Sequence, residues 1–131
     1  MSSGPVEDSG RSSPSPSPFL IVLVTCPVDK AADLARTLVD ESLCACVNIL
    51  SNILSVYRWQ GDVVSEEESL LVMKTMDNIY DRLETRIKQL HPYEVPEIIS
   101  LNIKNGSSTY LDWIAGTLQT REQDLQKQKI L

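Results

Sequence analysis

The chain is poor in the residues that most often carry chemistry. Its 131 residues include one histidine, three cysteines and one phenylalanine. A single imidazole and no CxxC, HxH or HExxH spacing exclude the usual structural zinc modules. Cys26, Cys44 and Cys46 cannot all pair with one another, so there is no disulfide framework, and a reducing compartment, the cytoplasm, is the simpler reading. Positive charge is also scarce, with 12 Lys and Arg against 18 Asp and Glu. A net charge of −6 with no basic patch argues against nucleic acid or an anionic membrane as the main partner. Long apolar runs are missing too. The longest, Phe19 to Val24, is far below the ~20 residues that span a bilayer, and it is too short for a signal-peptide core.

What is present divides the chain in three. Residues 1–18 are rich in Ser, Pro and Gly and cannot bury enough apolar surface to offset the entropy of ordering, so they read as a disordered lead. Residues 19–119 make one domain, and 120–131 a polar C-terminal tail. Phe-Leu-Ile-Val-Leu-Val (19–24) predicts a central strand buried on both faces, ended by Cys26-Pro27. Asp29 is a candidate N-cap for a helix from Lys30 to Ser42, with Leu34, Ala35, Leu38 and Val39 as its apolar stripe. From Val47 the period becomes two. Val47, Ile49, Ile53, Tyr57 and Trp59 then share one face, but Leu50, Leu54 and Val56 fall with Asn48, Asn52 and Arg58 on the other.

Gln60-Gly61-Asp62 marks a turn, and Val63 to Thr75 is the returning strand. Asp77 is the next N-cap candidate. Ile79, Leu83, Ile87 and Leu90 mark the helix after it, which His91-Pro92 stops. Ile98, Ile99, Leu101 and Ile103 form a fourth strand, and Ser107 or Ser108 starts a last helix. The order β-α-β-β-α-β plus a terminal helix is the α+β ferredoxin-like sandwich, an antiparallel sheet with two helices on one face.

The central hairpin is too long for this domain. Strands over 47–59 and 63–75 would each span roughly 43 Å at about 3.3 Å per residue. A 100-residue domain has a radius of gyration of only about 13 Å. The overhang carries Val56, Tyr57, Trp59, Val63 and Val64, an apolar edge that another copy of the chain would cover. The competing expectation is a bulge that folds the hairpin back onto its own sheet.

The densest polar cluster is His91-Pro92-Tyr93-Glu94-Val95-Pro96-Glu97, a loop stiffened by two prolines. His91 there is either a helix C-cap or a metal ligand, with Glu97 and Glu94 as oxygen donors. Glu66-Glu67-Glu68 reads as a solvated edge, with a cation site between copies as the sharper alternative. Lys74 is placed to pair with a carboxylate such as Glu97, or to bind an anion. Cys46 reads as core, and Cys26 as a buried structural thiol with metal ligation the weaker alternative. There is no nucleophile–base pair at recognisable spacing and no phosphate loop, so an enzyme is not expected.

The His-Pro-Tyr-Glu-x-Pro-Glu motif resembles the signature of the CutA family, the divalent-cation tolerance proteins. Val-Thr-Cys-Pro (24–27), Leu-Cys-Ala-Cys-Val-Asn-Ile (43–49), Tyr57-Arg58-Trp59-Gln60-Gly61, Met73-Lys74-Thr75 and Tyr110-Leu111-Asp112-Trp113 are similar to that family in the same order. The resemblance implies a homotrimer with hairpins reaching onto neighbours and a PII-like architecture. It also implies an intersubunit cleft near Trp59, Lys74, His91, Tyr93 and Glu97. It implies Cu(II) or another divalent cation as ligand, with His91, Glu97 and Cys26 as the metal candidates and no organic cofactor. In some bacterial members the cysteine proposed to bind copper lies two positions before Cys26, where this chain has Val24. Two further functions follow by analogy: a small-molecule signalling module at the cleft, or a scaffold that localises a membrane-associated enzyme.

Overall fold

A computed structural model describes residues 16–130, with side chains described to residue 119. The lead expected to be disordered lies outside the described residues up to position 15. Strand β1 is Phe19–Cys26, followed by a 3-10 turn at Val28–Lys30 and helix α1, Ala31–Asp40. Strands β2 (Cys46–Trp59) and β3 (Asp62–Met76) form the hairpin. Helix α2 (Tyr80–Leu90), strand β4 (Ile98–Asn102) and helix α3 (Ser108–Ile130) complete the chain. The sheet is antiparallel throughout, in the order β2-β3-β1-β4. This is the ferredoxin-like arrangement the element order predicts.

β1 is central, but its two faces differ. Val22, Val24 and Cys26 are fully buried, while Ile21, Leu23 and Thr25 are half-buried. The continuous apolar run therefore marks centrality in the sheet rather than equal cover on both sides. Val22, Val24, Leu71 and Met73 pack with Leu38 of α1 and Leu83 and Ile87 of α2 in one core. Burying each such side chain is worth roughly 1.5–3 kcal/mol.

The helix starts lie later than the cap residues suggest. The 3-10 turn absorbs Asp29, and Lys30 occupies the N-cap position of α1 with no side-chain cap bond. Asp77 is tied elsewhere: its N–H donates to the Pro18 carbonyl at 2.7 Å, and Ile79 becomes the N-cap of α2. Val39 proves exposed rather than part of the α1 stripe, and Ala31 takes its place in the core. Arg86 of α2 meets Glu41 through two parallel 2.8 Å contacts. Thr75 Oγ1 donates to the Leu43 carbonyl at 2.8 Å, which pins the α1–β2 connection to the sheet.

The hairpin turns at Gln60 and Gly61, both with positive φ (51° and 88°), as a two-residue turn requires. Its register breaks once. Leu50 pairs with Leu70, but the next pair is Ile53 with Glu68, so Ser51-Asn52 carries one extra residue. Asn52 sits at φ 59°, a conformation asparagine tolerates. The bulge inverts the alternation of β2. Cys46, Asn48 and Leu50 share a face with Ile53, Tyr57 and Trp59, whereas Val47 and Ile49 share one with Leu54, Val56 and Arg58.

This corrects the two faces read from strict alternation. Apolar residues remain on both faces after the correction. Nor does the bulge fold the hairpin back: pairing runs on to Trp59 opposite Asp62, and Trp59 and Val63 remain 59% and 64% exposed. Substituting Asn52 by Val should destabilise the chain by about 1–2 kcal/mol, the cost of a β-branched residue in the left-handed region. Asn52→Gly should be nearly neutral; urea unfolding of both variants makes the comparison.

Candidate functional site

The 91–97 loop begins where α2 stops. His91 adopts an extended backbone (φ −77°, ψ 138°), as a residue before proline must, and its N–H donates to the Ile87 carbonyl at 2.8 Å. The residue is buried, 7% exposed, and both ring nitrogens contact main chain. Nε2 lies 2.8 Å from the Thr25 carbonyl, and Nδ1 accepts the Tyr93 N–H at 3.1 Å. A carbonyl only accepts and an amide N–H only donates, so the proton resides on Nε2.

Tyr93 tilts against the imidazole, with ring centroids 4.8 Å apart, and its hydroxyl donates to Glu68 Oε2 at 2.8 Å. Glu68 is 5% exposed, which corrects the reading of the whole 66–68 run as a solvated edge. β1 pairs with β3 only as far as Cys26 opposite Ser69, and Tyr93 reaches Glu68 just beyond that end. A second phenol repeats the pattern: Tyr57 donates to Glu66 Oε1 at 2.6 Å. Burial, then the Glu68 carboxylate, pushes the Tyr93 hydroxyl far above the usual tyrosine range. The bond to Glu66 raises Tyr57.

The remaining candidates lie apart. Trp59 is at the hairpin tip opposite Asp62, and Lys74 is opposite Cys46. Twelve residues of β3 separate Asp62 from Lys74, roughly 40 Å of strand at about 3.3 Å per residue. One chain therefore does not bring Trp59, Lys74, Tyr93 and Glu97 together. Lys74 Nζ bonds Asn48 Oδ1 rather than Glu97, and Glu97 is exposed just before β4. Beside Lys74, Cys46 reaches Asn48 Oδ1 at 3.8 Å, and its proximity, after burial, raises the Tyr110 hydroxyl. Tyr110 in turn stacks on Trp113, with centroids 5.6 Å apart. Asn48 was read only as a polar-face residue, and Tyr110 as an apolar helix residue. Cys46 lies near both, and its nearness to Tyr110 depends on where α3 docks, which local pattern does not encode.

The two buried cysteines are held as thiols. Burial, then the charges of Glu68 and Asp29, pushes Cys26 up to about 11. Burial and the neighbouring Cys46 push Cys44 up to about 12. The metal-binding form of cysteine is the thiolate, so neither is a ready ligand at neutral pH. Among the described residues, no three His, Cys, Asp or Glu side chains come together as a metal-ligand set. His91, Glu97 and Cys26 thus do not fit a metal site within one chain.

This fold and this loop invite comparison with known proteins. A family model described as CutA1 divalent ion tolerance protein matches residues 20–117. The chain belongs to this family. A divalent-cation tolerance protein CutA from Thermus thermophilus is 48% identical over 95 residues, covering 72% of this chain and 92% of its own length. The human protein CutA is 38% identical over 111 residues, covering 84% of this chain but only 62% of its own length. The chain thus spans about 60% of that longer relative. The crystal structure of CutA1 from Oryza sativa superposes with a TM-score of 0.75 at 41% identity, covering 78% of this chain and 94% of that one. Family relatives carry names that place them in the chloroplast or the periplasm. Among the described residues, no helix is long and apolar enough to cross a membrane.

Two measurements check the electrostatics. All four tyrosines, Tyr57, Tyr80, Tyr93 and Tyr110, are raised in the folded state. Folding therefore holds their protons more tightly, and this stabilisation, complete below pH ~10, declines as pH rises above it. Absorbance titration at 295 nm should show tyrosine ionisation displaced to higher pH than in the unfolded chain, with Tyr93 the last to ionise. A thiol reagent at pH 8 should label Cys46 well before Cys26 or Cys44, read by peptide mass mapping.

Proposed function

We propose that the chain works as a non-enzymatic homotrimer in divalent-cation tolerance, with its ligand site completed only between subunits. The observation that carries this reading is the overhanging end of the hairpin. Beyond Ser69, β3 pairs only with β2, and the stretch to Asp62 extends roughly 23 Å at about 3.3 Å per residue. It presents Leu54, Val56 and Val63 on one side and Tyr57 and Trp59 on the other, all exposed. A hairpin apolar on both faces and unsupported by its own domain is an assembly element.

The separation of Trp59 from Lys74 within one chain supports the same conclusion. These residues share a cleft only if the tip of one subunit reaches the sheet of another. Copper, the ion the family resemblance implies, finds protonated thiols at Cys26 and Cys44 and no free imidazole lone pair in the single chain. Metal contact then falls to exposed carboxylates such as Glu66, Glu94 and Glu97 brought together from different subunits. A small anionic effector at Lys74 and Asn48 is the second reading, favoured by the exposed bond between those two side chains. The cytoplasm is the compartment we propose, on the three free cysteines.

Sedimentation equilibrium should give a mass of three chains, and Leu54→Asp with Val56→Asp should give one chain with the unfolding midpoint of a folded domain. A parent protein that sediments as one chain at all concentrations overturns the proposal. Calorimetric titration of the trimer with Cu(II) or Zn(II) should give fewer than one tight site per chain.

A further inference from the structure

We infer that His91 is a positioning residue, a latch between main-chain groups, and that this role withholds its imidazole from metal. The inference concerns one chain and stands whether or not the trimer forms. β4 pairs with β1 only as far as Val24 opposite Ile98, so Thr25 lies one residue past the last β4 partner. The carbonyl of this half-buried residue takes its donor from His91, whose Nε2–H lies 2.8 Å away. On the other side of the ring, Nδ1 takes the Tyr93 N–H at 3.1 Å. The His91 N–H meanwhile closes the last turn of α2 on Ile87.

One imidazole therefore ties the end of β1, the end of α2 and the start of the 91–97 loop. It sets Tyr93 where its hydroxyl reaches the buried Glu68. The two ring bonds fix one tautomer and use both nitrogens. A metal ion needs a lone pair on one of them. Ligation through Nδ1 would strand the Tyr93 N–H, and ligation through Nε2 would strand the Thr25 carbonyl. The residue is also only 7% exposed, which leaves a cation little approach to the ring. Divalent-cation tolerance in this chain thus runs without His91 as a ligand.

The chain has a single histidine, so its ring nitrogens give two unambiguous signals in a long-range proton–nitrogen spectrum of the full-length, nitrogen-15-labelled protein. Expected are a protonated Nε2 and an unprotonated Nδ1 that stay in place as Zn(II) is added to a tenfold excess. Stoichiometric movement of either signal overturns the inference. His91→Ala should speed hydrogen exchange of the Tyr93 amide at least tenfold. His91→Gln, which keeps one acceptor and a donor at similar reach, should restore most of the protection. A Tyr93 amide as protected in His91→Ala as in the parent also overturns it. If His91→Ala does not fold, the zinc titration of the parent and the exchange of His91→Gln still decide the matter: Tyr93 exchange in His91→Gln as fast as in an unfolded peptide counts against the latch.

Discussion

An eight-residue strand lies against a fifteen-residue one, and much of the rest of this molecule follows from that mismatch. β1 stops at Cys26 because Pro27 cannot extend the ladder, while β3 continues to the hairpin turn. Two vacancies result. Beyond Ser69, β3 has no inner neighbour, so Glu68 is next to the end of β1. On the opposite edge β4 begins too late to meet Thr25. The 91–97 loop answers both, Tyr93 reaching Glu68 and His91 reaching Thr25. A loop that carries a histidine, a tyrosine and two glutamates looks from its composition like a ligand-binding site. Its first two functional side chains are spent on closing the end of a sheet.

Patterns with a local cause were legible in the sequence. The apolar run at 19–24, the stop at His91-Pro92, the Gln-Gly turn and the excess hairpin length each depend on residues adjacent in the chain. Together they give the ferredoxin-like order. The faces of β2 were not legible, because the alternation is broken by one extra residue at Ser51-Asn52. No composition signal distinguishes that bulge from two ordinary polar strand residues. The cap residues misled for a related reason. Asp29 and Asp77 are good caps in isolation, yet a 3-10 turn absorbs the first and the Pro18 carbonyl holds the backbone of the second. A local turn in one case and a tertiary hydrogen bond in the other outweighed a cap preference worth about 1 kcal/mol.

The candidate site was legible as a list of residues and not as an arrangement. Glu68 sits between two other glutamates, and charge runs are ordinarily solvated. Its burial arises only because β1 ends one residue earlier in the register and Tyr93 arrives from 25 positions downstream. Lys74 was within reach of many acceptors by sequence. The register places Asn48 two residues along β2 from its direct partner Cys46, on the same face, and that settles the choice. Such contacts are fixed by strand pairing, which no window along the chain contains.

Membership of a divalent ion tolerance family sits against a chain whose single imidazole is engaged and whose two buried thiols keep their protons. Cys26 and Cys44 keep their protons well above neutral pH, and the single imidazole has no lone pair to offer. Tolerance need not require a soft, high-affinity cage. A site assembled from exposed carboxylates of several chains would bind divalent cations weakly and exchange them quickly, which suits response to an excess better than storage. A tight thiolate or imidazole site would be saturated at trace levels and could report nothing about a surplus. On that physical ground, the scarcity of histidine and the protonated thiols of Cys26 and Cys44 are consistent with the family's role rather than at odds with it.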